Sequence, residues 1–458
     1  MNRQNYLLKN IGLLSISNFS SKILVFLLVP LYTSVLTTAE YGLYDFAIST
    51  VSLLFPIFTL NIVDGVMRFL MDRDYSKEQI ATIGIKYVSF SVIMFVVFML
   101  TIRNIGIWQG VELLVFLYYL AYVFNQFFIQ FAKGMEMVSD MAIAGVIGTI
   151  TMLVLNLLFL KVFRFGLYGF FVANIISQAI PAVYYFFRLR FWDFIKDWNI
   201  DKILRHAMLT YSIPLLATTL GWWINNTLDK YAVTFICGVA ANGLLSVSYK
   251  IPQILNTFQS IFGQAWQISA IKEYGEHDSA NFYGKIFSTI NVLMCAVCAW
   301  LILLTKPIAN ILYAKDFYQA WIYVPFLLIS SVINCASGLL GPILSAKRNT
   351  KVMMWSAIIG AIFNAVLNIL LIRLIGIQGA TIATVISSLV IYLVRRIGVA
   401  REILISDRYW ITWILLVIEG VIEITIGNVL LELTIVLIML FMNIRLFNGI
   451  FGYFSKRN

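Results

Sequence analysis

Apolar runs of roughly 20 residues succeed one another along almost the whole chain. A bilayer offers no water to satisfy backbone N–H and C=O groups, so such runs cross it only as helices or as a closed barrel. Barrel strands would alternate polar and apolar residues over segments of about 10 residues, and these runs do not alternate. An all-α polytopic membrane protein remains. The spans read as 11–35, 43–67, 80–102, 112–132, 141–160, 167–187, 210–236, 243–265, 286–304, 321–344, 352–372, 377–394, 410–426 and 429–447, about 14 helices with both ends on one side. Composition agrees: of 458 residues, 61% are hydrophobic and 12% charged, against roughly 25% charged in a soluble domain. No signal peptide is expected, because the first run is long enough to span and closes without a small-residue cleavage site.

The formal net charge of +11 is explained by placement. Of the 33 Lys and Arg residues, 24 fall in loops and helix ends on the side where the chain starts. Six fall opposite: Arg103, Lys161, Arg164, Lys306, Lys315 and Arg373. Lys22, Lys230 and Lys250 lie inside spans. Cytoplasmic loops carry the excess of basic residues, so both termini are expected in the cytoplasm. No nucleic-acid partner is needed to account for the charge.

The chain also repeats itself. Gly166-Leu-Tyr-Gly169, running on to Ser177, returns as Gly376-Ile-Gln-Gly379, running on to Ser387. Upstream, Val154-Leu-Asn156 returns as Val366-Leu-Asn368, and Ala132-Lys133 as Ala346-Lys347. The offsets are 210, 212 and 214 residues. Small residues recur in lipid-embedded helices because they let backbones approach, but three motifs in one order at nearly constant offset indicate duplication. Two similar membrane-embedded halves are the usual build of a transporter.

Several chemistries lack their residues. A phosphate-cradling loop needs glycines ahead of a Lys-Ser/Thr pair, and Gly284-Lys285 has no upstream glycine to match. The two histidines, His206 and His277, fall in predicted cytoplasmic loops, where they form neither a metal cluster nor an embedded base. Cys295 and Cys298 have the spacing of a redox or metal pair but sit, like Cys237 and Cys335, in or at the end of apolar spans, where packing is their expected role. External connections are short and the longest loop, 188–209, is cytoplasmic. No enzyme, metal or cofactor is expected.

Charge inside the membrane is the positive signal. A Lys, Arg or Asp at the bilayer centre costs about 2.5–3.5 kcal/mol, so it persists where it faces water or a partner. Lys22 lies near the middle of the first span. Asp229 and Lys230 on the seventh span, and Lys250 on the eighth, all lie roughly 10 Å below the outer surface at 1.5 Å per residue. At that depth Asp229 can pair with either lysine. Polar residues surround them: Asn225, Asn226 and Thr227 on span seven, a stripe of Gln253, Asn256 and Gln259 on span eight, and Asn125, Gln126 and Gln130 on span four. For any single amide the plainer role is hydrogen bonding between helices. Embedded cations in a cavity suit an anionic substrate such as a diphosphate. Asp64 and Arg68, one turn apart and expected to pair with each other, and the mid-span Glu419 are candidates for coupling or gating. Pro30, Pro56, Pro214, Pro252, Pro325 and Pro342 break spans, which suits moving parts.

Three stretches carry a resemblance. The segment from Pro30-Leu-Tyr through Glu40-Tyr41-Gly42-Leu43-Tyr44 resembles the first-helix exit and loop of Wzx-type polysaccharide-biosynthesis flippases. These flippases belong to the multidrug/oligosaccharidyl-lipid/polysaccharide exporter superfamily. Asn61-Ile-Val-Asp64-Gly65-Val-Met-Arg68-Phe69 resembles the end of their second helix. Leu228-Asp229-Lys230-Tyr231, followed by Gly243-Leu-Leu-Ser-Val-Ser-Tyr249-Lys250-Ile251, resembles the start of their second half. There an Asp-Arg pair precedes a Gly-Leu-Tyr-Ser segment. Here Lys230 replaces the Arg, giving a point charge without a bidentate fork, and Leu245 replaces the Tyr.

The resemblance implies two six-helix lobes around a central cavity, over 1–190 and 210–400. A cytoplasmic connector would cover 191–209 and two further helices 401–458. It implies alternating access that carries an undecaprenyl-diphosphate-linked glycan across the bacterial inner membrane, with the lipid tail left among membrane lipids. Polymerase and chain-length proteins of the same pathway would be partners. By position, Lys22, Lys250 and Lys230 would receive the anionic headgroup. Asp229, Asn225, Asn226, Gln253, Asn256 and Gln126 would line the cavity. The alternatives are a lipid II flippase or a cation-coupled drug exporter of the same superfamily and, from another class, a membrane polymerase or acyltransferase.

Overall fold

The computed structural model describes residues 26–443, except 73, 107, 196–199, 276–277, 348 and 406–408. Lys22 and His277 lie outside the described residues. Within them every regular element is helical, without a strand. It divides into two compact units, Met1–Ile224 and Asn225–Asn458.

The first unit contains α1 (Val29–Val35), α2 (Thr38–Phe58), α3 (Ile62–Leu70), α4 (Lys77–Ile102), α5 (Glu112–Gly134), α6 (Val138–Asn156) and α7 (Gly166–Arg188). A long bent helix, α8 (Lys202–Cys237), starts in this unit and ends in the second. The second unit continues with α9 (Val239–Ser248), α10 (Pro252–Lys272), α11 (Ser279–Leu303), α12 (Thr305–Leu312) and a 3-10 segment, Lys315–Tyr323. It closes with α13 (Val324–Ala346), α14 (Thr350–Ile375), α15 (Ile377–Gly398), α16 (Tyr409–Thr425) and α17 (Val429–Met442).

Among the described residues nine helices are long and apolar enough to cross a membrane, and α8 makes a tenth if its two parts count as one span. The chain is a multi-pass membrane protein. The remaining predicted spans differ for identifiable reasons. Most of the first lies outside the described residues. The eighth is broken into α9 and α10, because Pro252 has no N–H to offer the Ser248 carbonyl one turn back. The last two, α16 and α17, have 17 and 14 residues. The second, expected as one helix over 43–67, is two. Thr37 and Glu40 form a capping box that starts α2 before the predicted end. Leu60 and Asn61, with φ of 52° and 54°, then turn the chain left-handed between α2 and α3.

The duplicated motifs build the same hairpin twice, α6 with α7 and α14 with α15. Gly166 and Gly376 sit where α7 and α15 begin, with φ of +54° and +63°, a conformation that glycine adopts without a Cβ penalty. Three residues on, a Cβ on Gly379 would lie 2.3 Å from the Leu371 carbonyl, and one on Gly169 would lie 3.0 Å from Phe159 Cβ. The repeat extends beyond its sequence motifs. A Cβ on Gly148 would meet Pro181, and one on Gly360 would meet Ile391, at the same offsets. Asn156 and Asn368 are both fully buried; the first donates to the Met152 carbonyl at 2.7 Å and the second to Asn364 Oδ1 at 2.9 Å.

Lipid gives helices no hydrophobic reason to associate, so close packing and polar contacts hold each unit together. In the first, Phe191 packs edge-on to Phe127, Phe128 and Phe131 at 5.1–5.6 Å, each pair worth about 0.5–1.5 kcal/mol beyond area. In the second, Tyr392, Tyr409 and Trp413 pack together, and the Trp413 indole donates to Asn291 at 3.0 Å. This fastens α16 to α11.

Candidate functional site

The Asp-Lys motif lies in the second unit, on the last turns of α8, and meets the kink between α9 and α10. Asp229 is 5% exposed. One carboxylate oxygen accepts from the Tyr249 hydroxyl, the other from the backbone N–H of Lys230 at 2.9 Å. The Lys230 ammonium stands 6.0 Å from the centroid of the Tyr249 ring. Lys250, half-buried, is the next residue, at the kink that Pro252 creates. The structure thus gathers Asp229, Lys230 and Tyr249 around one corner, with Lys250 next along the chain. An acid that holds a tyrosine, with a cation beside it and a second next to the tyrosine in the chain, can position an anionic group by charge.

The predicted stripe on α10 has two environments. Gln253 and Asn256 are exposed. Gln259 lies at the stripe's edge and donates to the Asn334 carbonyl on α13 at 3.4 Å, and two turns further along, the Trp266 indole donates to the Leu339 carbonyl at 2.8 Å. One side of α10 is therefore anchored to α13 and the other presents exposed amides. Asn225 is half-buried and Asn226 exposed on α8.

In the first unit the Asp64 carboxylate accepts from the Asn61 amide and from Gln130, both at 2.9 Å. The expected pairing with Arg68 is replaced: Arg68 is exposed and reaches Asp72 at 4.0 Å instead. The left-handed Asn61 is the reason, since the turn aims its amide at Asp64. Asn125 is tied to Gln178 at 2.5 Å, so Asn125 and Gln130 act as ties between helices, and Gln126 stays half-buried between them.

A cavity of about 470 Å³ opens between α5, α6 and α7, lined by Asn125, Lys133, Thr149, Ser177 and Gln178 among others. Lys133 is exposed there, whereas its repeat counterpart Lys347 is held at 2.6 Å by Glu402.

Residues 7–267 match the model of a family described as polysaccharide biosynthesis protein. The chain belongs to that family. The match covers the first unit from residue 7 onward and the whole Asp229–Lys250 corner. No curated protein sequence matches the chain. Among solved structures, a lipid II flippase MurJ in an inward closed conformation is similar with a TM-score of 0.70 at 15% identity, over 95% of this chain and 99% of that one. An inward-facing multidrug resistance MATE transporter is similar with a TM-score of 0.62 at 15% identity, over 84% and 98%. A transporter of the same superfamily from Pyrococcus furiosus, described as having a binding pocket of reversed polarity, reaches 0.56 at 16% identity, over 86% and 96%. The fold is that of these membrane transporters, as the motif resemblance implied.

The family is thus one of polysaccharide biosynthesis, and the fold is one that membrane transporters share. Two features of this family member escape a reading of its sequence. Tyr249, named by sequence only as part of a motif, donates its hydroxyl to Asp229. Lys306, a loop cation by sequence, is 3.3 Å from Glu423 and 4.5 Å from the centroid of the Trp321 ring. Glu419 is fully buried one turn from Glu423. The four cysteines are free; Cys295, Cys298 and Cys335 are buried and Cys237 is exposed.

Proposed function

We propose that the chain is a flippase for an undecaprenyl-diphosphate-linked oligosaccharide, the precursor of an O-antigen, capsule or exopolysaccharide. It carries this cargo from the inner to the outer leaflet of the bacterial cytoplasmic membrane, with both termini in the cytoplasm. The observation that carries this reading is the polysaccharide-biosynthesis match over residues 7–267 in a chain with the fold of a lipid II flippase and of multidrug transporters. Two repeated lobes, 1–190 and 210–400, alternate the cargo site between the two sides. Lys250 and Lys230 hold the diphosphate, positioned by Asp229 through Tyr249, and Lys22 contributes a third cation. Gln253, Asn256, Asn225, Asn226 and Gln126 offer amides to the sugars. The prenyl tail stays in lipid, and polymerase and chain-length proteins take the product. No bond is made or broken, so the protein is a transporter and not an enzyme.

The test is export of the surface polymer in cells whose only copy is Lys250→Ala, Lys230→Ala or Lys250→Arg, at matched protein level. Loss with either alanine and retention with arginine is expected. Normal export in the Lys230→Ala, Lys250→Ala double variant would remove the diphosphate role from this corner.

A further inference from the structure

The second unit buries three carboxyl groups near the Lys306 ammonium. Glu419 and Glu423 lie one turn apart on α16, and Glu432 lies in the first turn of α17; their exposures are 0%, 3% and 0%. Lys306 of α12 binds Glu423 Oε2 and the Glu423 carbonyl, both at 3.3 Å. It neutralises one of the three acids. Both oxygens of Glu419, both of Glu432 and Oε1 of Glu423 are buried, and among the described residues none has a hydrogen-bond partner.

The helices packed against α16 and α17, α11 and α13, carry the buried Cys295, Cys298 and Cys335 thiols, none of which is a cation. The Trp413 indole on α16 is already taken by Asn291. Lys306 is the cation that faces the cluster among the described residues. A buried carboxylate with neither a donor nor a counter-charge is strongly disfavoured and takes up a proton instead. Among the described residues no three His, Cys, Asp or Glu are placed to hold a metal ion, whereas a proton needs a single carboxyl oxygen.

We propose that Glu419 and Glu432 form a proton-binding site, with the Lys306–Glu423 pair as its fixed counter-charge. Glu423 and Glu432 flank the turn that joins α16 to α17, and Glu419 lies one turn deeper, about 6 Å along the helix. A proton enters from water at that turn, rests on Glu432, passes to Glu419 and returns by the same route. Each transfer breaks one O–H bond and forms another, and no further reactant is needed. The site lies on helices outside the duplicated halves, so it is separate from the lysine corner. It gives the transport cycle a proton to exchange. That coupling rests on the transporter reading, whereas the proton site itself does not.

The test is infrared difference spectroscopy of the purified full-length protein in lipid nanodiscs, which reads carboxyl protonation whatever the cargo. Wild type is expected to show a protonated-carboxyl C=O band at neutral pH that shifts in D2O and disappears at alkaline pH. Glu419→Gln and Glu432→Gln should each remove part of it, and the double variant should remove it entirely. Glu419→Asp, which keeps a carboxyl, should retain it. Absence of the band in wild type, or its survival in the double variant, overturns the proposal. So does its loss on adding sodium at constant pH, which would make the site one for a metal cation.

Discussion

Replacing Tyr249 by Phe deletes one oxygen and leaves the ring beside Lys230, so it isolates the hydroxyl that donates to Asp229. A hydrogen bond to a charged acceptor contributes about 1.5–3 kcal/mol in soluble proteins. Side-chain bonds between membrane helices average about 0.6 and reach about 1.7 kcal/mol, because the unfolded chain in lipid finds other partners. Asp229 is 5% exposed and keeps the Lys230 N–H, so its loss is partial but water does not replace it. We expect Tyr249→Phe to destabilise the second unit by about 1.5 kcal/mol. Asp229→Asn should cost a similar amount, and the double variant much less than the sum. The assay is equilibrium unfolding of the full chain in mixed micelles, run as a double-mutant cycle. Effects that add to within about 0.5 kcal/mol would show that the two groups do not act as a pair, and the positioning of Lys230 and Lys250 by this corner would lose its basis.

Gly379→Ala should destabilise by about 2 kcal/mol or more, since the Cβ meets Leu371 backbone atoms that cannot swing aside; Gly221→Ala, with open space around it, is the neutral control in the same unfolding assay. Lys347→Ala should cost about 0.5–1 kcal/mol of stability through its lost pair with Glu402. Lys133→Ala should leave unfolding unchanged and lower export, because Lys133 lines an open cavity; unchanged export would make it a plain surface cation. A membrane-impermeant maleimide should label exposed Cys237 from outside intact cells and leave Cys295, Cys298 and Cys335 unmodified; labelling of Cys237 only after lysis would reverse the topology.

Helix positions were legible because a run that must satisfy its backbone in lipid has one solution, and α4, α5, α6, α7, α11 and α14 lie where the apolar runs placed them. The break at Leu60 and Asn61 left no mark, since neither residue is a glycine or a proline and only their φ values reveal it. The repeat was visible through Gly166, Gly376, Asn156 and Asn368, but Gly148 and Gly360 are single glycines in apolar runs and gain meaning only against Pro181 and Ile391. Embedded charge flagged Asp229 and its lysines, while the tyrosine that completes the corner carries no charge to flag it. The one-turn rule paired Asp64 with Arg68; Gln130, 66 residues away, takes the acid instead. Lys306 and Glu423 are 117 residues apart, a separation at which sequence spacing says nothing about contact.

The most direct measurement of the central claim is mass spectrometry of polyprenyl-linked sugars in cells depleted of this protein. The account predicts build-up of one completed undecaprenyl-diphosphate oligosaccharide together with loss of the surface polymer. No build-up alongside an intact surface glycan would contradict it and point to export of another cargo, and build-up of incomplete units would point to an enzyme of assembly.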